Sequence, residues 1–300
     1  MIQKKSENIV NIGVIEGHSG AIYDIIYSKD SLFTSSADKF VVQWNVDALK
    51  QEEFAVKLNN SAYNIALSEA THVLAIGTNN GGIHVVDMVK KEEVRLLAQH
   101  QSSVFSLAHN SFKNHFYSGD RDGVFCVWDD RTFDLLLTYP LDCGKIRKIT
   151  LDDKGEMIAV CGQDGYIRIF ETEYFNQIAS FYTHEGGVNC ALIDGDILYT
   201  GGKDAHIRKW NWKKEELILE VPAHNYAMYD LVFVNEGEKL VSVSFDKTIK
   251  LWNAKDISII ERVEYKHGGH QHAVNRIAKI DEHKIATVSD DRKIIIWEIK

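Results

Sequence analysis

The stretch Leu32-Phe33-Thr34-Ser35-Ser36-Ala37-Asp38-Lys39-Phe40-Val41-Val42-Gln43-Trp44 carries two short runs of apolar and hydroxyl residues separated by a small polar turn. Each run has the length and composition of a strand, so the segment reads as a hairpin closed by Trp44. The same spacing recurs along the chain. An apolar or aromatic residue stands six positions after an Asp or Asn at Trp44, Val86, Trp128, Phe170, Trp210, Trp252 and Trp297, with gaps of 42, 42, 42, 40, 42 and 45 residues. A fixed period of this size marks one supersecondary unit used repeatedly.

Within each unit the apolar residues alternate, as in Ile22-Tyr-Asp-Ile-Ile-Tyr27, and turn residues separate the runs at Asn79 to Gly82, Arg121 to Gly123, Gln163 to Gly165, Lys203 to Ala205 and Phe245 to Lys247. No segment shows a helical period. Four strands cannot bury their apolar faces alone, so the units must pack on one another, and seven can close into a ring. The predicted fold is therefore all-β: a seven-bladed β-propeller of four-stranded antiparallel blades, one domain over residues 1–300. Ile9 to Ile15 form a spare strand before the first unit, and the last unit is one strand short, so this segment is expected to be the outer strand of blade seven. That pairing would cover an otherwise open edge.

With 45% hydrophobic and 26% charged residues the chain has an ordinary globular composition, long enough to bury a large core. A net charge of −9 and a pI near 5.8 argue against direct nucleic-acid binding, which depends on Lys and Arg neutralising phosphates. Met1 to Asn8 is polar, with no apolar run behind it, so neither a signal peptide nor a membrane span is expected and the address reads as cytoplasmic. Cys126, Cys143, Cys161 and Cys190 lack CxxC spacing and read as reduced, buried thiols.

Gly17-His18, Gly269-His270 and Trp128-Asp129, set on this period, resemble the Gly-His and Trp-Asp elements of the WD-repeat (WD40) propeller family over essentially residues 9 to 300. The resemblance implies the fold. It implies little about function, because this fold hosts many unrelated roles.

Five blades carry a His before the first strand, a hydroxyl ten residues before the Trp and an Asp six before it. The sets are His18, Thr34, Asp38, Trp44; His100, Ser118, Asp122, Trp128; His184, Thr200, Asp204, Trp210; His224, Ser242, Asp246, Trp252; and His270, Thr287, Asp291, Trp297. An Asp, a His and a hydroxyl in line would suggest a hydrolase triad elsewhere. Repetition favours another reading: a buried indole N–H needs an acceptor, the hydroxyl supplies it, and the imidazole joins that hydroxyl to a carboxylate. In WD-repeat proteins the set is structural. Blades two and four replace it with Leu58, Ile76, Asn80, Val86 and with Asp142, Val160, Asp164, Phe170, so His, hydroxyl and Trp vanish together.

Function is thereby expected on residues that differ between blades. The resemblance implies a binding surface on the top face, at two positions per blade: the residue after the first apolar residue of the innermost strand, and the residue before the repeated Asp. The first set is Tyr23, Tyr63, Phe105, Arg147, Asn189, Tyr229 and Asn275; the second is Ala37, Asn79, Arg121, Gln163, Lys203, Phe245 and Asp290. Aromatic residues gather in blades six, one, two and three, and Arg121, Lys145, Arg147 and Lys203 in blades three to five. A protein or peptide partner with an apolar anchor and an acidic or phosphorylated flank would fit. The expectation is a non-catalytic scaffold without metal or cofactor.

The alternatives are an enzyme with its site in the central channel, a nucleic-acid-associated subunit, and a substrate-receptor subunit suggested by Trp128-Asp129-Asp130-Arg131. His267, His270 and His272 lie within six residues, yet no Cys or carboxylate cluster accompanies them as a metal site would require. GxxxxGK[ST], HExxH and GxSxG patterns are absent.

Overall fold

The structure is a computed structural model that describes residues 7–300. Its strands form seven four-stranded antiparallel sheets, each a meander in sequence order except the last. In that sheet Ile9–Glu16 pairs with Lys293–Ile299, from Ile9 opposite Ile299 to Glu16 opposite Lys293. The amino-terminal strand therefore closes blade seven, as the spare apolar run requires. An ion pair from Lys293 to Glu16 at 2.6 Å and a bond from Lys300 N–H to Asn8 O at 2.9 Å extend the clasp.

Apolar residues sort into seven clusters, each shared by adjacent blades. Phe33 and Val41 of blade one meet Ile65, Leu74 and Val86 of blade two, and Trp44 packs with Ala286 and Ile296 of blade seven. The blades thus supply one another's cores, which is what four short strands with two apolar faces demand. Each central hairpin turns through a left-handed residue: Lys39, Gly81, Gly123, Gly165, Ala205, Lys247 and Arg292. Glycine holds this conformation freely; at Lys39, Ala205, Lys247 and Arg292 the preceding Asp carboxylate braces the turn, accepting the N–H of Phe40, His206, Thr248 and Lys293 at 3.0–3.2 Å.

The seven innermost strands begin at Ile22, Ala62, Val104, Ile146, Val188, Met228 and Val274. All seven carry a β-bulge directly after that first residue. The bulge breaks the two-residue alternation and re-aims the extra side chain. In every blade the skipped residue belongs to one set: Tyr23, Tyr63, Phe105, Arg147, Asn189, Tyr229 and Asn275.

Candidate partner-binding mouth of the central channel

The geometry of the repeated polar residues decides what chemistry they can do. In blade one Trp44 Nε1 donates to Thr34 Oγ1 at 2.7 Å, Thr34 Oγ1 lies 2.8 Å from His18 Nε2, and His18 Nδ1 lies 2.8 Å from Asp38. Blades five, six and seven repeat the chain through Thr200, Ser242 and Thr287. The proton order follows. The indole occupies a lone pair of the hydroxyl, the hydroxyl donates to Nε2, and Nδ1–H donates to the carboxylate. Thr34, Ser118, Thr200, Ser242 and Thr287 are each 0% exposed, so none of these oxygens can reach a substrate.

Blade three corrects one expectation. His100 Nδ1 lies 2.9 Å from Asp120, not Asp122, whose side chain is exposed. Where other blades have Ser36, Gly202, Ser244 or Ser289 at the end of the second strand, blade three has Asp120. From that buried position Asp120 reaches the imidazole and also accepts the N–H of Asp122 at 3.0 Å and of Val124 at 2.9 Å. It therefore performs both tasks that Asp38 performs from the turn. In blade four Asp142 is exposed, and Arg168 takes the imidazole's place, bonding both oxygens of Asp164 at 3.2 and 2.6 Å. In blade two Leu58, Ile76 and Val86 pack in the core, while Asn80 accepts from Thr78 Oγ1 at 2.6 Å.

Burial lowers the imidazoles of His18, His184 and His224 below their usual range, which keeps them neutral. Burial acts most strongly, to raise Asp38, Asp120, Asp204, Asp246 and Asp291, but the histidine partner and the further hydrogen bonds to each carboxylate together outweigh it and hold these carboxyls below the usual range. Burial also raises the thiols of Cys126 and Cys143 to about 11 and of Cys190 to about 12. All four cysteines are free and buried, so none is a nucleophile at neutral pH.

The bulged residues come together elsewhere. All seven line a single cavity of about 330 Å³ at the top of the channel, joined by Arg276 and Asp290. Tyr23 meets Tyr63 edge-on with centroids 5.2 Å apart, and Tyr63 stacks on Phe105 at 5.4 Å, giving an aromatic wall over blades one to three. Tyr229 faces it from blade six, backed edge-on by Phe245 at 6.2 Å. Of the second set only Asp290 lines the cavity; Arg121, Lys203 and Phe245 stand on the exposed rim, and Lys145 sets its ammonium 5.3 Å from the Phe105 ring centroid.

One residue deeper lies a layer that the sequence reading did not single out: Asp24, Asn64, Ser106, Lys148, Cys190, Asp230 and Arg276. These ionisable groups do converge on the channel, yet their valences are used within the ring. Arg276 Nε sits 3.7 Å from Asp24, and Lys148 pairs with Asp230. Asp24 accepts Ile65 N–H at 3.0 Å, Ser106 accepts Ile149 N–H at 2.9 Å, and Asp230 accepts Ile277 N–H at 3.1 Å, each from the following blade. Asn64, together with the bulge residues Asn189 and Asn275 of the layer above, donates in the same sense to the carbonyls of Val104, Met228 and Ile22, respectively, at 2.6–2.8 Å. This layer laces blade to blade.

The remaining motifs are also built in. Asp129 caps its turn by accepting Arg131 N–H at 2.8 Å and Thr132 N–H at 2.7 Å, while buried Asp130 binds His109 Nε2 and Ser68 Oγ, both at 2.8 Å. His267 Nδ1 accepts Glu264 N–H at 3.2 Å, away from His270 in its clamp. Among the described residues no helix is long and apolar enough to cross a membrane.

Curated relatives align over most of the chain at low identity. Kinesin-like protein KIF21B of Homo sapiens is 24% identical over 95% of this chain, which spans only 19% of that relative's length. WD repeat-containing protein 55 of Homo sapiens is 24% identical over 83% of the chain and 66% of the relative, and U3 snoRNP-associated protein-like EMB2271 of Arabidopsis thaliana is 23% identical over 72% and 40%. The family described as WD domain, G-beta repeat matches residues 10–45, 91–129, 175–211 and 215–253, half of the chain. Those segments close on Trp44, Trp128, Trp210 and Trp252 and leave the three inner strands of blades two, four and seven unmatched; with seven four-stranded blades in a ring, the chain belongs to the WD-repeat family.

Proposed function

We propose that the protein is a non-catalytic interaction platform that receives a peptide segment of a protein partner at the top-face mouth of the channel. The observation that carries this is the bulge. Seven blades spend the same backbone irregularity on seven side chains that line one cavity, four of them aromatic, while the repeated His, hydroxyl and Trp side chains are buried and bonded to one another and, through the His, to a carboxylate. Half-exposed Tyr and Phe give large rigid contact area with few rotamers to freeze. The channel carboxylates Asp24 and Asp230 are engaged by backbone N–H groups and cations of other blades, which ties them into the frame.

The test is positional. With a photo-cross-linking phenylalanine analogue at Tyr63, in the mouth, partners should be captured; the same group at Ile178, on an outer strand, should capture few. Cross-links from position 178 alone would overturn the reading. A second reading, a subunit of a ribonucleoprotein assembly, is favoured by the U3 snoRNP-associated name of one relative.

A further inference from the structure

Charge in the mouth is distributed unevenly. Of the cations in the cavity and the layer beneath it, Arg276 is engaged by Asp24 and by the carbonyl of Tyr229 at 3.0 Å, and Lys148 by Asp230. Arg147 differs. It sits on the blade-four bulge, half-buried and lining the cavity, and no described residue gives it a hydrogen bond or an ion pair. The rim beside it adds Arg121, Lys145 and Lys203, which likewise form no ion pair among the described residues. These cations gather on a chain of net charge −9. The cavity's carboxylate, Asp290, belongs to blade seven, held by Asn275 Nδ2 at 2.8 Å.

We propose that Arg147 anchors one anionic side chain of the partner peptide, a carboxylate or a phosphate, seated in the mouth with its apolar neighbour on the Tyr23, Tyr63 and Phe105 wall. This rests on the top-face reading above. A guanidinium offers two parallel N–H donors to either anion, and a half-buried one without a counter-ion is costly to hold until such a group arrives. Burial lowers the pKa of Arg147, and burial followed by the charges of Arg147, Arg121 and Lys203 lowers that of Lys145, as expected of crowded cations lacking an acid. Asp290 repels an anion from the blade-seven side and so orients it toward blade four. A nucleic acid would need a basic track long enough for successive phosphates. Here the cations occupy one sector beside an acidic one.

The probe is a set of peptide libraries, randomised around a central phosphoserine, glutamate or glutamine, presented to the full chain. One of the anionic libraries should be retained about tenfold better than the glutamine library, the size expected of a charge-assisted bidentate pair. Preference for phosphoserine or for glutamate identifies which anion is meant. Arg147→Gln should reduce the preference to less than about twofold, and Arg147→Lys, which keeps the charge without the fork, should leave an intermediate value. Equal retention of all libraries that disappears in Tyr63→Ala would overturn the anchor while leaving the top-face reading intact. Retention of no library would overturn both. Arg147-dependent capture of a single-stranded oligonucleotide in place of any peptide would overturn the proposal in favour of nucleic acid.

Discussion

Thr287 shows most plainly what the repeated residues do. Its hydroxyl accepts Trp297 Nε1–H at 2.8 Å and lies 2.9 Å from His270 Nε2, wholly buried. Thr287→Val keeps the shape and strands both partners, so it should lower unfolding free energy by about 1–3 kcal/mol in denaturant titration. Asp120→Ala should cost a similar amount, about 1–3 kcal/mol, whereas Asp122→Ala should stay within about 0.5 kcal/mol. The reverse order would restore Asp122 as the histidine's partner. The clamps also set a pH dependence. Both the imidazoles of His18, His184 and His224 and their carboxylates have folded pKa values below the unfolded ones, so the unfolded chain binds more protons in acid and stability falls as pH falls. The histidine share is complete above the ordinary imidazole value of about 6.5 and is lost below it; the carboxylate share is lost below about pH 4. The melting midpoint should therefore decline between about pH 7 and about pH 5. A flat or rising midpoint over that interval would contradict neutral, buried imidazoles.

The strands and their hairpins could be read from the chain because alternation, turn residues and the Asp-to-Trp spacing all repeat. The bulges could not. Period two places Tyr23 and Asp24 on opposite faces; one extra residue per innermost strand sends the first into the mouth and the second to the neighbouring blade's backbone. The seven mouth positions were legible only through the family resemblance, and the lacing layer of Asp24, Ser106 and Asp230 not at all. Asp120 escaped for a related reason: two carboxylates two residues apart look equivalent until one is seen to end a buried strand. The lacing has a measurable consequence. Ser106→Ala leaves Ile149 N–H without its acceptor and should cost about 1–3 kcal/mol, although Ser106 belongs to no repeated motif. By contrast Tyr63→Ala, at a half-exposed bulge, should change stability by less than about 1 kcal/mol.

At the scale of the ring, closure depends on Ile9–Glu16, whose Ile9 and Ile15 are buried in the clusters on either side of blade seven. Ile9→Ala should cost about 2–5 kcal/mol, and removing residues 1–16 should expose Lys293–Ile299 as an open edge and promote aggregation. A ring closed in this way is a rigid frame: the clamps and lacing consume the repeated polar groups, and the proposed partner site rests on the bulge residues that differ between blades. The decisive measurement pairs stability with binding in one set of proteins: the native chain, the mouth variant Tyr23→Ala/Tyr63→Ala/Arg147→Gln, and Thr287→Val. Each would be scored by melting midpoint and by quantitative recovery of bound partners below that midpoint. The account predicts that the mouth variant keeps the native midpoint and loses the partners, while Thr287→Val loses stability and keeps them. A mouth variant that recovers the full native partner set would contradict it.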